Sequence, residues 1–251
     1  VDFLAATAIT AAGAAAGAFN AVVGSGTLIT FPTLLALGYP PVLANVSNNI
    51  GLVPGVLGGV WGYRRELRGQ ARRLAHLATA SALGGLAGAL LLLRLPARTF
   101  QAAVPVLILT ACALTLAQPY LRRSLDRRTR TPGHGPPGLW AAVCAAGVYG
   151  GYFGAAQGIV LIGLLGCSVR ESLHRLNAAK NVLAAIVNAV AALVFVAATK
   201  VDWSVAAFIA LGSTLGGLIG ARAGRRLPPA GLRTLIIVVG VAASAVMVLW
   251  R

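Results

Sequence analysis

Four long windows, residues 74–93, 101–119, 182–198 and 205–221, contain no Asp, Glu, Lys or Arg. Each is close to the ~20 apolar residues that span a bilayer. Hydrocarbon offers no partner to a backbone amide, so such windows must satisfy their own polar groups as helices. Composition points the same way: 58% of residues are hydrophobic and 10% charged, against about 25% charged in a soluble domain. The alternating ten-residue strands of a barrel are not seen. The fold class is an all-α polytopic membrane protein.

The formal net charge of +16 raises the question of a nucleic-acid partner. The position of the charges answers it. Arginines gather where apolar segments end: Arg64, Arg65, Arg68, Arg72 and Arg73, then Arg122, Arg123, Arg127, Arg128 and Arg130. That is the distribution of cytoplasmic loops, and no soluble basic face is present for nucleic acid. The lipid bilayer is the expected partner. The first apolar segment lacks a basic n-region and reads as a mature helix rather than a signal peptide. Cys112, Cys144 and Cys167 all fall in apolar segments without paired spacing, so no metal site or disulfide framework is expected.

The chain is two copies of one unit. SALGGLAGALLLLRLP at 81–96 aligns with STLGGLIGARAGRRLP at 213–228, with ten of sixteen positions identical at an offset of 132. The same offset pairs Gly26 with Gly158, Asn45 with Asn177 and Asn49 with Asn181. A shared register in separate patches is the mark of an internal repeat. The expected organisation is a first transmembrane repeat over 1–121, a basic Pro/Gly-rich cytoplasmic linker over 122–137, and a second transmembrane repeat over 138–251. His134 reads as solvated linker.

Each copy divides into five apolar segments, in the first copy near 3–23, 26–37, 42–63, 73–93 and 98–120. The second segment has only twelve residues, or ~18 Å of helix against ~30 Å of hydrocarbon. It is expected to dip into the membrane as half of a hairpin, broken at Gly24-Ser25-Gly26 and, in the second copy, near Ala156-Gln157-Gly158. Basic loops change sides between copies. The loop at 64–73 has five arginines and its counterpart at 196–205 has Lys200 and Asp202; the loop at 38–43 has no charge and its counterpart at 170–175 has Arg170, Glu171, His174 and Arg175. A unit with an odd number of crossings would be inverted in its second copy, a recurrent design of secondary transporters. The linker is then inside and both chain ends outside.

Polar residues within apolar segments are the functional candidates. NVSNN sets Asn45, Asn48 and Asn49 at i, i+3, i+4, and NAAKN sets Asn177, Lys180 and Asn181 at the same spacing. Such residues share a helix face, and Asn188 extends the second face. The breaks add helix N-termini, whose unpaired N–H groups and dipole favour an anion. The acids Asp2, Glu66, Asp126, Glu171 and Asp202 all lie at segment ends or loops, so a carboxylate relay for protons or sodium has no support. Plainer roles compete: asparagines as interhelical hydrogen-bond glue, Lys180 snorkelling to the interface, and the paired GG-x-x-G runs at 84–88 and 216–220 as helix packing. His76, His174 and the four tryptophans fit the interfaces.

The stretch GSGTLITFPTLLALGYPPVLANVSNN, residues 24–49, resembles the sulfite exporter TauE/SafE family of membrane permeases. Gly24, Gly26, Pro32, Leu35, Gly38, Pro40 and Ala44 stand in the order of that pattern. The glycine run is reduced to Gly-Ser-Gly, and Leu164 stands in the second copy where Pro32 stands in the first. With the duplicated unit and its length, the resemblance covers essentially the whole chain. It implies a transporter exporting sulfite, an organosulfonate or a related sulfur oxyanion across the cytoplasmic membrane.

Together these readings give an alternating-access carrier for a small anion. Lys180 is expected to supply charge. Asn45, Asn48, Asn49, Asn177, Asn181 and Gln157 are expected to donate hydrogen bonds, with backbone amides near Ser25, Gly26, Thr27 and Gly158 completing the cradle. No catalytic residue, cofactor or metal is expected, and a homodimer is left open. Uptake in place of export, another small anion such as thiosulfate, sulfate or a carboxylate, a channel and a membrane enzyme are the alternatives. The enzyme would need a nucleophile–base pair or metal constellation, and the channel a ring of charge. Neither pattern is present.

Overall fold

The computed structural model describes residues 2–126, 138–169 and 171–223. The linker beyond Asp126 with His134, Arg170, and the fifth apolar segment of the second copy with Trp250 lie outside the described residues. Among the described residues there are nine helices and no strand: α1 (Phe3–Val22), α2 (Thr27–Ala36), α3 (Pro41–Gly62), α4 (Ala71–Arg94), α5 (Ala97–Asp126), α6 (Leu139–Tyr152), α7 (Gln157–Ser168), α8 (Leu173–Ala198) and α9 (Trp203–Ala223).

Helix ends follow the chemistry of the connecting residues. Pro41 opens α3 at its first position, where a missing N–H costs nothing. Ser172 caps α8, its hydroxyl accepting from the Arg175 amide at 3.4 Å. Several ends recur at the same 132-residue offset: Ala36 and Ser168 close α2 and α7, Pro41 and Leu173 open α3 and α8, Ala71 and Trp203 open α4 and α9. The helices α1, α4, α5, α8 and α9 are long and apolar enough to cross a membrane. The 22-residue α3 has the length but carries Asn45, Ser47, Asn48 and Asn49 in its first half. With ten and twelve residues, α2 and α7 are too short to cross alone. The structure differs from expectation at α6, which has 14 residues against 20 in α1. Gly138 caps its start, and the positive φ of Gly154 ends its path.

The helices exchange partners between copies. α1 packs on α9, and α4 packs on α6. The GG-x-x-G runs make these contacts, as the packing reading anticipates. A Cβ on Gly84 would lie 2.2 Å from the Cys144 carbonyl oxygen, and one on Gly216 would lie 1.9 Å from that of Ala14. Only bare backbone permits that approach. The centre is filled by α3 and α8, which pack on each other.

Polar contacts fix how α3 and α8 run. The Arg175 guanidinium, in the first turn of α8, donates to the Arg68 carbonyl at 3.0 Å, beyond the end of α3. Arg73 and Glu171 pair at 3.4 Å across the same junction. At the other end the Asp202 amide, after α8, donates to the Ser47 hydroxyl at 3.0 Å. The end of each helix lies near the start of the other, so they run antiparallel. Trp61 and Trp203 are exposed at helix termini, and His76 and His174 are exposed as well.

Candidate functional site

The site is built by two interruptions. The α1–α2 connection passes through Gly24 at φ +91°, and the α6–α7 connection passes through Ala156 at φ +61°. These positions are repeat equivalents. A left-handed conformation comes readily to glycine but costs an alanine about 1–2 kcal/mol. The second copy holds this strained turn without a glycine, inside a fully buried setting.

The two interruptions touch backbone to backbone. The Gly158 amide donates to the Gly24 carbonyl at 3.1 Å. A Cβ on Gly158 would fall 2.5 Å from the Gly24 Cα. This contact corrects one sequence expectation. The Gly158 N–H does not face a ligand, because Gly24 already accepts its hydrogen bond. The other first-turn amides of α7 are also engaged: Gln157 donates to Gly154, and Ile159 and Val160 donate to Ala156.

A small cavity lies beside this contact. Its walls come from Asn20 of α1, Gly24, Thr27 of α2, Asn48, Asn49 and Leu52 of α3, Phe153 and Gly154, Gln157 and Gly158 of α7, and Ala184 and Asn188 of α8. No Asp, Glu, Lys, Arg or His is among these wall residues. Side-chain amides dominate instead. Asn48 accepts a hydrogen bond on Oδ1 from the Thr30 hydroxyl, which commits its oxygen and leaves the NH₂ end to donate. Gln157 Nε2 and Asn49 Oδ1 are buried without a hydrogen-bond partner among the described residues. Unpaired buried polar groups are costly, about 1–3 kcal/mol each, and such groups persist where a ligand or water meets them. The first residues of two short helices, Thr27 and Gln157, border the same space. The positive ends of both helix dipoles therefore border it.

The sequence-predicted residues separate into two sets. Asn48, Asn49, Gln157, Thr27 and Gly158 are brought together in the cavity wall. Lys180, Asn45, Asn177 and Asn181 are not in that wall. Lys180 is 1% exposed, and its Nζ donates to the Asn20 carbonyl at 2.9 Å, so the side chain does not extend to an aqueous interface. Asn177 and Asn181 both donate to the Ala21 carbonyl, at 2.9 and 3.3 Å. Asn45 donates to the Tyr152 carbonyl at 3.0 Å. Ser25 is buried with no partner for its hydroxyl among the described residues, and Gly26 packs against the Ala16 carbonyl. Asn188, read from sequence as an extension of the α8 face, lines the cavity. Asn20 is a wall residue outside the two sequence faces. Its signal was available: one amide in an apolar segment, one helical turn before the break. Thr30, which orients Asn48, carried no comparable mark.

The chain matches the family model described as sulfite exporter TauE/SafE over residues 9–247. It is 28% identical over 239 residues to the probable membrane transporter protein YfcA of Escherichia coli strain K12, covering 92% of this chain and 84% of that protein. It is 27% identical over 240 residues to a probable membrane transporter protein of Haemophilus influenzae, covering 94% and 91%. A probable membrane transporter protein, ORF9, of Sinorhizobium sp is 27% identical over 236 residues, covering 90% and 86%. No solved structure matches the chain.

Proposed function

Because this chain belongs to the sulfite exporter TauE/SafE family of membrane transporters, we propose that it carries sulfite, or a related sulfur oxyanion or organosulfonate, out across the cytoplasmic membrane. The observation that carries the anion reading is the cavity wall. It offers amides from Asn20, Asn48, Asn49, Gln157 and Asn188, borders the positive ends of α2 and α7, and includes no carboxylate. A cation would meet no compensating charge there. An oxyanion accepts hydrogen bonds on several oxygens, which the NH₂ ends of Asn48 and Gln157 can donate.

The carrier works as two inverted repeats that rock about the contact between the breaks. Two arrangements support this reading: α3 and α8 run antiparallel, and α1 and α4 find their partners in the opposite copy. Export is favoured by the membrane potential, which expels an anion from a negative interior by about 2.3 kcal/mol per charge per 100 mV. A coupling ion is then unnecessary, in keeping with the absence of charged groups from the cavity wall.

Purified protein in liposomes loaded with sulfite, sulfate, thiosulfate, sulfoacetate or taurine tests the proposal. Saturable efflux of a sulfur oxyanion, accelerated by an inside-negative potential, is the expected result. Flux of none of these above protein-free liposomes would overturn the substrate reading. Net uptake against the same potential would reverse the direction.

A further inference from the structure

We infer that Lys180 serves transport as a positioning residue: it caps the broken end of α1 and so holds the cavity wall, and it does not pair with the ligand. The inference rests on the anion-carrier reading only for its effect on transport; the capping itself stands on geometry.

α1 stops at Val22, so its last carbonyls lack the donors that a continuing helix would provide. In hydrocarbon, water cannot replace them. The Phe19 carbonyl accepts from the Val23 and Gly24 amides, at 2.7 and 3.3 Å. The next two carbonyls are met from α8. Lys180 Nζ donates to Asn20, and Asn177 and Asn181 donate to Ala21. The whole N-x-x-K-N face is therefore directed at one helix terminus. That terminus carries the negative pole of the α1 dipole, equivalent to about half an elementary charge. A cation on the last carbonyls is the electrostatic complement of that pole. The same need explains how a lysine is held inside a transmembrane helix.

The first copy repeats the device without the charge. Asn45 donates to the carbonyl of Tyr152, the last residue of α6 and the repeat equivalent of Asn20. Capping of a broken helix by the opposite copy is thus common to both halves. The position equivalent to Lys180 is Asn48, which instead lines the cavity.

Lys180 also has the reach to couple the two breaks. Its Nζ holds the Asn20 backbone, and its stem lies against Gly158, where an added Cβ would fall 3.0 Å from Lys180 Cδ. Asn20 and Gly158 are both cavity wall residues, one from each copy. Loss of the cap would loosen the α1 end and misplace the wall, whatever ligand occupies it.

The test is Lys180→Gln in the full chain in liposomes. Amide exchange of residues 19–24 is expected to rise about tenfold without any ligand present. Transport of sulfite is expected to slow about tenfold, and its dissociation constant to rise by a similar factor as the wall is displaced. The change is expected to be equal on either side of the second pKa of sulfite, since a lost ion pair would penalise the dianion more than the monoanion. A dissociation constant that rises selectively for the dianion, with exchange at 19–24 unchanged, would overturn the inference in favour of a direct ion pair. If Lys180→Gln does not fold, the double variant Asn177→Ala/Asn181→Ala removes the neighbouring caps without touching the cavity wall. It must reproduce the raised exchange and the slowed transport, and normal values for both would overturn the inference. Wild-type protein that binds no sulfite would instead count against the anion reading, leaving the exchange result to decide the cap.

Discussion

The polar faces of α3 and α8 are repeat equivalents, yet they point their side chains at different targets. On α8, Asn177, Lys180 and Asn181 all end on carbonyls of α1. On α3, only Asn45 ends on a carbonyl of α6, while Asn48 and Asn49 face the cavity. The difference follows from the helix ends they serve. The α1 end takes side-chain donors on two carbonyls, Asn20 and Ala21, and the α6 end on one, Tyr152. Repeat symmetry fixes where a side chain starts; the unmet backbone group opposite decides where it ends.

The most severe way to break the comparison is at the contact between the two interruptions. Gly158→Leu puts a side chain where the Gly24 backbone already lies. Rigid backbone cannot yield as a side-chain tip does, so a destabilisation of about 3 kcal/mol or more is expected. Thermal unfolding in detergent should show little folded protein. Gly38→Ala is the control. Gly38 has a positive φ, +84°, which Gly158 does not, and nothing lies within 4 Å of its Cβ position among the described residues. It should cost only the left-handed penalty of about 1 kcal/mol. Equal losses for the two variants would mean that contact between the breaks costs no more than one left-handed alanine in a loop.

A second pair of positions separates function from stability. Ser25 and Gln157 are repeat equivalents, and each has a buried polar atom without a partner among the described residues. Only Gln157 lines the cavity. Gln157→Met keeps the length of the side chain and removes the unmet donor. It should raise stability by about 1 kcal/mol while lowering sulfite flux about tenfold or more. Ser25→Ala should raise stability to a similar degree, about 1 kcal/mol, and leave flux unchanged. A fall in flux for Ser25→Ala as large as that for Gln157→Met would extend the ligand site behind the first break.

These contrasts also mark how far sequence carries. The short helices, the two breaks and the GG-x-x-G contacts were legible, because length against bilayer thickness and the 132-residue offset are properties of sequence itself. The division of the polar faces was not. A donor aimed at a backbone carbonyl and a donor aimed at a ligand are the same residue at the same spacing, and an unmet carbonyl leaves no trace in sequence. Lys180 and Asn48 therefore looked like one site. The engaged amides of Gly158, Ile159 and Val160 were hidden for the same reason, since the breaks suggested open helix N-termini.

The orientation of Asn48 is a finer contrast. Thr30 has no hydroxyl counterpart in the second copy, where Ile162 stands at its equivalent position. Thr30→Val keeps the shape and removes the donor to Asn48 Oδ1. The amide is then free to turn, and sulfite affinity should fall about three- to tenfold, the value of roughly one hydrogen bond. Isothermal titration of the purified variant gives the number. An unchanged affinity would show that the cavity fixes Asn48 without help.

The smallest effects test the caps one amide at a time. Hydrogen bonds between membrane helices average about 0.6 kcal/mol in double-mutant cycles, so single losses should be slight. They should not be equal. Asn45 is the side chain that meets the Tyr152 carbonyl, whereas the Ala21 carbonyl is met by both Asn177 and Asn181. Asn45→Ala should therefore cost about 1 kcal/mol, and Asn177→Ala or Asn181→Ala only about half that, because the remaining amide still satisfies the acceptor. Removing both should cost more than the sum of the two, as the carbonyl is then bare in a membrane interior. Strictly additive losses at 177 and 181, measured by thermal unfolding, would mean that the two amides act independently and that Ala21 is not a shared acceptor.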